Sequence, residues 1–179
     1  MTGRVRILHI TCDFPDAMVG GKTPAVSNLI GVAPGIDHTV YSLNRVNGRW
    51  GIWSLPSGAD RTAVAYGAPP NGILMATVLA RVARFIIDDI RQRQTAFDIV
   101  HAHKFSIEGL IGCEVAATFG VPLVCNIWGN SDTRIVRFRP DLRRRWQSVI
   151  DQAAFLFPAA PWTLDQLSRS FDIRHDQVR

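Results

Sequence analysis

At 179 residues the chain has the length of one domain, and it is long enough to bury a hydrophobic core. Hydrophobic residues make up 47% of it and charged residues 20%, which excludes the weakly hydrophobic, highly charged class of disordered chains. The net charge of +5 favours anionic partners such as phosphates without choosing among them. No apolar run approaches the ~18 residues that a membrane-spanning helix needs.

The three cysteines, Cys12, Cys113 and Cys125, are odd in number and widely spaced. No Cys-x-x-Cys pair or metal-ligand spacing occurs, which argues against a zinc site and a disulfide framework. Their apolar surroundings predict small buried thiols in a reducing compartment. The apolar run 7–12 that follows the basic N-terminus is too short for a secretory signal. We therefore predict a cytoplasmic protein.

Short apolar runs alternate with longer amphipathic stretches, a pattern typical of an α/β fold with a parallel sheet. In chain order we predict strand 5–12, loop 13–23, helix 24–32, strand 37–43, loop 45–58, strand 62–66, helix 72–93, strand 97–102, helix 107–119, strand 121–127, helix 141–153, strand 154–158 and helix 162–170. The buried face of the longest helix is predicted to carry Leu74, Val78, Val82, Phe85, Ile86 and Ile90. In such a fold ligands bind beyond the carboxyl ends of the strands, so function is expected in loops 13–23, 103–106, 128–134 and 159–163.

The first of these loops contains Gly20 and Gly21, followed by Lys22 and Thr23 at a predicted helix start. Two glycines allow a ligand close to the backbone, and the N-terminus of a helix favours an anion. A P-loop is excluded because Asp16 stands where that pattern needs a glycine, and the Gly-x-Gly-x-x-Gly fingerprint is absent. The alternative is a plain strand-to-helix turn.

Strand 97–102 runs into His101-Ala102-His103, and strand alternation sends both histidines to the same face. Two histidines at this spacing can bind a metal, but no third ligand lies nearby in the sequence. We therefore favour one structural histidine and one that faces a cleft.

The segment after strand 121–127 combines Trp128, Asn130 and Asp132 with a glycine. An aromatic ring beside hydrogen-bonding groups suits a sugar, whose C–H faces pack on rings while its hydroxyls need polar partners. The alternative is an Asx-type turn beside a packed tryptophan.

The densest positive charge comes from Arg134, Arg137, Arg139, Arg143, Arg144 and Arg145. These residues would attract anionic lipid headgroups or an acceptor phosphate, or they would form the solvated face of a helix. We favour the solvated face for 143–145. No nucleic-acid-binding module is recognisable, and no Gly-x-Ser-x-Gly elbow of a serine hydrolase occurs.

Several motifs now stand in a distinctive order: Phe14-Pro15 and the glycine loop, Phe97-Asp98-Ile99-Val100-His101-Ala102-His103, Glu108-Gly109-Leu110, and Gly120-Val121-Pro122. Together they resemble the N-terminal domain of family 4 glycosyltransferases. The resemblance implies a Rossmann-like three-layer αβα sandwich with a mostly parallel sheet, one half of a GT-B fold. It also implies a retaining, metal-independent transferase with no cofactor, whose N-domain binds the sugar acceptor while its C-domain binds the nucleotide sugar.

Carried over by motif, the resemblance makes His103 the catalytic candidate. It also makes Gly20 and Gly21 substrate-binding candidates, with Lys22 and Thr23 at the helix start beside them. The chemistry of their side chains adds Trp128, Asn130, Asp132 and Arg134 to the substrate-binding candidates. Many members carry a histidine where this chain has Trp128, so that histidine's role does not transfer.

The paired glutamates and basic residues of the family's C-domain do not occur in this sequence. We therefore interpret residues 1–179 as an acceptor-side domain without its donor-binding domain, and predict that it is inactive alone. Expected partners are a sugar acceptor, that donor domain in the same or another chain, and an anionic membrane surface at the inner face, but no nucleic acid. Rivals are a nucleotide-sugar epimerase or dehydrogenase, for which the Tyr-x-x-x-Lys pair is missing, and a stand-alone glycan- or anion-binding module.

Overall fold

A computed structural model describes residues 3–18, 22–47 and 49–179. The strands are β1 (Arg6–Thr11), β2 (Asp37–Val46), β3 (Ile52–Pro56), β4 (Arg61–Gly67), β5 (Ile99–Ala102), β6 (Leu123–Ile127) and β7 (Ala153–Pro158). The α-helices are α1 (Ala25–Gly31), α2 (Met75–Arg93), α3 (Glu108–Phe119), α4 (Gly129–Phe138), α5 (Arg143–Gln152) and α6 (Pro161–Ser168). Short 3-10 helices cover Pro70–Gly72, Pro140–Leu142 and His175–Gln177.

The strands form one sheet in the order β3-β4-β2-β1-β5-β6-β7, in which only β3 runs antiparallel to its neighbour. The chain moves from β1 towards one edge through β2 and then crosses to β5 on the other side of β1. The strand order therefore reverses between β1 and β5. In open α/β sheets this reversal is where ligand crevices form.

Helices lie on both faces of the sheet. The larger core contains Leu8 and Ile10 of β1 together with buried residues of α2, α3 and α5. A smaller cluster on the opposite face joins Val40 of β2 to Phe14 and to Val26 of α1. The predicted Rossmann-like, mostly parallel αβα architecture is thus confirmed.

Most predicted elements are confirmed, with shifted ends. Gly120 ends α3 in the left-handed conformation with φ of 66°, as is common for a glycine that follows a helix. The predicted helix 141–153 has one buried face, on which Leu142, Trp146, Val149 and Ile150 are at most 2% exposed.

The start and buried face of α2 differ from the prediction. The helix begins at Met75, three residues later than expected, because Asn71 and Leu74 have φ of 56° and interrupt the helical path. Leu74 therefore lies outside the helix and is 59% exposed. Leu79 is buried in its place, so the apolar stripe is rotated relative to the predicted one.

Two predicted loops are wrong. Residues 45–58 contain the end of β2 and all of β3, an edge strand whose residues are half-buried or exposed, so it has little hydrophobic pattern to read. Residues 128–134 belong mostly to α4, which starts at Gly129. Its first turn is rich in residues that favour turns in isolation, and a buried carboxylate described below overrides that preference.

Within the described residues, no helix combines the length and apolar character needed to cross a membrane. The three cysteines are free thiols; two are buried and Cys12 is half-buried.

Gly67 at the end of β4 provides a test of the hairpin packing. A Cβ atom there would overlap the backbone carbonyl of Arg49, and a backbone atom cannot rotate away. We expect Gly67→Ala to lower the free energy of unfolding by about 1–3 kcal/mol, the usual cost of overpacking.

Urea denaturation measures this cost, and Gly31→Ala in α1 is the matched control. Apart from its chain neighbours and the backbone of α1, no atom of the described residues lies within 4 Å of a methyl group added at Gly31, so that substitution should be neutral or stabilising. Equal stability of the two variants would contradict the packing described here.

Candidate functional site

The candidate site is the edge of the sheet where the parallel strands β1, β2, β5 and β6 end. Each strand runs into a loop at this edge, and hydrogen bonds to buried acidic side chains connect the loops in pairs. The edge therefore combines irregular backbone, suited to contacting a ligand, with fixed anchors beneath it.

Glu108, at the start of α3, connects the loops after β1 and β5. Its Oε1 accepts a hydrogen bond from the backbone N–H of Cys12 at 2.5 Å. On the surface of the same loops, Lys104 forms an ion pair with Asp13, with 2.5 Å between Nζ and Oδ2. These two interactions hold the loops together at the reversal point of the strand order.

The second oxygen of Glu108 is unusual because it is buried and has no hydrogen-bond partner in the described part of the chain. The side chain is 0% exposed, and this burial raises its pKa to about 8. The hydrogen bond from Cys12 lowers the pKa, but the effect of burial is larger. Glu108 therefore carries a proton near neutral pH.

Asp132, in the first turn of α4, connects the loops after β5 and β6. Its Oδ1 accepts the backbone N–H of Ser106 at 2.8 Å, and its Oδ2 accepts that of Trp128 at 2.7 Å. The Trp146 indole donates to the carbonyl of Ser106 at 3.0 Å from below. The aspartate thus holds the backbone of Trp128, the residue just before α4, and ties it to the loop after β5.

Asp16 and Lys22 form a third connection, between the glycine loop and β2. The Lys22 ammonium lies 2.7 Å from Asp16 Oδ2 and 2.7 Å from Ser42 Oγ, and 3.3 Å from the carbonyl of Leu43. Asn44 donates to the same Asp16 oxygen at 2.8 Å. Burial opposes ionisation, but these hydrogen bonds prevail and lower the pKa of Asp16 to about 2.

Beneath this edge, four histidines from three adjacent strands make contact on the sheet face that α1 covers. His9 Nδ1 lies 2.9 Å from His103 Nε2, and His9 Nε2 lies 2.9 Å from His38 Nδ1. The rings of His101 and His103 stack with centroids 4.0 Å apart, which confirms that they share a face. Burial is the main reason that the pKa falls to about 3 for His9 and about 2 for His103.

The residues predicted to bind substrate fall into two groups. Trp128 is 41% exposed at the edge, and Asn130, Arg134 and Thr23 are exposed. Lys22 and Asp132 instead have their polar atoms engaged in the connections just described. The catalytic candidate His103 is 2% exposed. Gly20 and Gly21 lie outside the described residues.

The sequence analysis missed Glu108 as an electrostatic anchor, Asp16 as the partner of Lys22, and His9 and His38 as neighbours of His103. A buried-strand setting for His9 was visible in the sequence, because Leu8 and Ile10 flank it. Its partners lie 29 and 94 positions away, and no local pattern reports contacts at such separations.

A cavity of about 330 Å³ lies away from this edge, between α4, α5 and α6. Arg137, Arg143 and Arg169 line it, with no acidic residue among its lining residues. Within the described residues these three guanidinium groups have no hydrogen bond or ion pair. The cavity is therefore electropositive. Arg144 and Arg145 are exposed, as a solvated helix face requires.

Glu108 makes the stability of the domain depend on pH in a definite direction. Above pH 4.5 the unfolded chain loses the Glu108 proton that the folded state keeps. The contribution of Glu108 to the free energy of unfolding is therefore fully present below pH 4.5 and is lost as the pH rises towards about 8. We expect Glu108→Gln to remove a decline of about 1.4 kcal/mol per pH unit in the free energy of unfolding.

Chemical denaturation of both proteins between pH 6.5 and 8 checks this expectation, because other titrating groups affect the two proteins equally. The wild-type curve should fall relative to the variant. Parallel curves would mean that Glu108 is ionised in the folded state.

Comparison with known proteins now adds to the geometry. The family model described as "Glycosyl transferase 4-like domain" matches residues 31–179. A search of curated protein sequences finds no match.

Several solved structures have a similar fold. Sucrose-phosphate synthase from Thermosynechococcus elongatus has a TM-score of 0.67 at 12% identity, over 98% of this chain and 47% of that one. UDP-N-acetylglucosamine 2-epimerase has a TM-score of 0.54 at 11% identity, over 98% of this chain and 47% of that one. An E. coli protein described as "Trehalose-6-phosphate" bound with UDP-2-fluoro glucose has a TM-score of 0.50 at 11% identity, over 92% of this chain and 43% of that one.

The chain thus spans less than half the length of these three structures. At such low identity the likeness concerns the fold alone, since one fold serves several reactions. The family match covers most of the chain and goes further. The chain belongs to the glycosyl transferase 4-like family and has the Rossmann-like fold of a GT-B glycosyltransferase N-terminal domain.

Proposed function

We propose that this chain is the acceptor-binding half of a retaining glycosyltransferase, which moves a sugar from a nucleotide-sugar donor to a glycan, lipid or small-molecule acceptor. Family membership supports the reaction class. The observation that carries the acceptor role is the exposed ring of Trp128, whose backbone N–H is held at the strand edge by a hydrogen bond to Asp132. A fixed, exposed aromatic ring beside polar groups is suited to the C–H face of a sugar.

The donor is proposed to bind a second domain, in the same or another chain. The transfer needs no metal or cofactor in this proposal. When the cleft between the domains closes, N–H groups at Gly20 and Gly21 would help to stabilise the negative charge of the departing diphosphate. Lys22 contributes indirectly, because its ammonium pairs with Asp16 and donates hydrogen bonds to Ser42 and Leu43, which anchor the end of that loop to β2.

His103 is proposed as the catalytic histidine on the strength of its motif. Its side chain is 2% exposed and hydrogen-bonded to His9, so its replacement should affect packing as well as turnover. Turnover must therefore be expressed per folded molecule. Unchanged turnover with reduced stability would assign His103 a structural role.

One observation favours a second candidate function, a stand-alone module that binds an anionic ligand. The cavity lined by Arg137, Arg143 and Arg169 has the charge that a phosphate or carboxylate needs. Tight binding of an anionic glycan by this chain alone, without any partner, would favour the module over the transferase half.

We also propose a cytoplasmic location with peripheral contact at the inner face of the membrane. Exposed arginines such as Arg134 and Arg144 would supply the attraction to anionic lipids. Sedimentation with vesicles containing phosphatidylserine should then weaken as salt is added. Equal binding to neutral vesicles would contradict this.

The chain by itself is expected to lack transferase activity. The 179-residue chain should release no nucleoside diphosphate from UDP- or GDP-sugars in the presence of mixed sugar acceptors, because the donor-binding half is proposed to lie elsewhere. Measurable transfer by the purified chain would refute the division of labour proposed here.

The role of Trp128 is testable in an enzyme that includes both halves. Trp128→Ala should lower kcat/KM for the acceptor by about 10-fold or more, since an aromatic contact and its buried area are worth about 1.4 kcal/mol or more. Phe138→Ala is the matched control, because Phe138 is 68% exposed at the far end of α4, the helix that follows Trp128. Equal losses in both variants would remove Trp128 from the acceptor site.

A further inference from the structure

The histidine cluster contains most of the histidines in the protein. The chain has five histidines, and four of them, His9, His38, His101 and His103, contact one another. The fifth, His175, is exposed in the last 3-10 helix. His9 and His101 occupy paired positions in the parallel ladder between β1 and β5, so the sheet itself sets their proximity.

Hydrogen bonds at the outer side of the cluster determine which ring nitrogens carry protons. The carbonyl of Ala33 can only accept, so His38 Nε2, at 3.2 Å from it, must be the donor. With neutral rings, His38 Nδ1 then accepts from His9 Nε2, and His9 Nδ1 remains as a lone pair that faces His103 Nε2. The Ala33 carbonyl thus fixes the tautomer of His9 from a distance.

His101 is oriented in the same manner by a different neighbour. Its Nε2 lies 2.9 Å from the amide oxygen of Asn126 on β6, which requires a proton on that nitrogen. Its Nδ1 is therefore the lone-pair atom. Metal-binding histidines in proteins are typically held by such a bond from the second ring nitrogen to a carbonyl or carboxylate oxygen.

The inner side of the cluster has the ligand set of a metal centre. One ring nitrogen from each of His9, His101 and His103 lies within 4.8 Å of the others. Two histidines two apart on one strand and a third on the neighbouring strand can supply three nitrogens to one ion. Tetrahedral coordination at about 2.0–2.1 Å needs nitrogens roughly 3.3 Å apart. The His9 and His103 nitrogens, 2.9 Å apart, must separate slightly, and the widest spacing in the set must contract, adjustments that small ring rotations provide.

We propose that His9, His101 and His103 form a binding site for one late first-row divalent cation of the Zn²⁺, Co²⁺ or Ni²⁺ class. Imidazole nitrogen suits these ions, whereas the oxygen ligands that Mg²⁺ and Ca²⁺ prefer are not part of the set. His101 is only half-buried, which provides a path for entry from solvent. The site ties β1 to β5. Its ligand His103 is also the proposed catalytic histidine, so a bound ion would occupy the residue that the transfer uses.

Metal binding changes the position of the proton on one ring alone, that of His103. His9 and His101 already present a lone pair at Nδ1, but His103 Nε2 carries the proton that is donated to His9. When the ion binds at His103 Nε2, that proton must leave this atom and the neutral ring must carry it at Nδ1. His103 therefore switches tautomer, whereas His9, His38 and His101 keep theirs.

The test uses the purified chain, freed of metal with a chelator and titrated with Co²⁺ and then Zn²⁺. We expect one Co²⁺ per chain with the visible absorption of a nitrogen-ligated tetrahedral ion, displacement by Zn²⁺, and no competition from a large excess of Mg²⁺. Zn²⁺ should raise Tm because it binds the folded state. Failure to bind Co²⁺ or Zn²⁺ would overturn the proposal and leave a hydrogen-bonded histidine network.

Variants separate this site from surface binding. His101→Ala should weaken Co²⁺ affinity by more than about 100-fold, and Asn126→Ala, which keeps all three ligands, by about 10-fold. His175→Gln is the matched control and should bind as the wild type does. Equal affinity in His101→Ala and wild type, or loss only in His175→Gln, would overturn the site.

A measurement on the wild-type chain covers the case in which ligand variants fail to fold. Long-range ¹H–¹⁵N spectra of the histidine side chains report the tautomer of each ring. On addition of Zn²⁺, His103 alone should change from the Nε2–H to the Nδ1–H form. An unchanged His103, or a shift confined to His175, would contradict the proposed ligand set.

Discussion

The arrangement of the candidate site depends on buried carboxylates that accept hydrogen bonds from loop N–H groups. Parallel strands end together at one edge, and the backbone that leaves them can no longer pair within the sheet. Asp132 satisfies the N–H groups of Ser106 and Trp128, which belong to two different loops, and Glu108 satisfies that of Cys12. Since each acid belongs to a helix that starts at this edge, the helices and loops are fixed together.

Two acidic side chains of this small region, Asp16 and Glu108, have their pKa values shifted in opposite directions, and their local partners explain why. Asp16 has an ammonium, a hydroxyl and an amide around one oxygen, which together hold its pKa at about 2. Glu108 has one backbone donor and an unpartnered second oxygen, and burial raises its pKa to about 8. A carboxylate buried without enough donors is stable mainly in its neutral form. The ion pair therefore anchors the glycine loop, whereas Glu108 links folding to pH.

The reversal of strand order between β1 and β5 has consequences on both faces of the sheet. One face packs Leu8 and Ile10 into the large core beneath α2 and α3. On the other face the alternation of the strand places His9 beside His101, because these positions are paired in the ladder. A catalytic candidate and its neighbours thus belong to a cluster built into the sheet, and a change at His103 reaches β1 and β2 through hydrogen bonds.

The sequence by itself determined the fold class, because hydrophobic period and glycine or proline breaks are local properties that alternate clearly along this chain. It also determined the shared face of His101 and His103, which follows from strand alternation alone. The sequence did not determine β3, because an edge strand that pairs only with β4 has little apolar pattern. Nor did it determine α4, because the start of that helix depends on the buried Asp132. Only the tertiary structure decided that His9 joins His103, since the contact spans 94 positions and arises from the ladder between two strands.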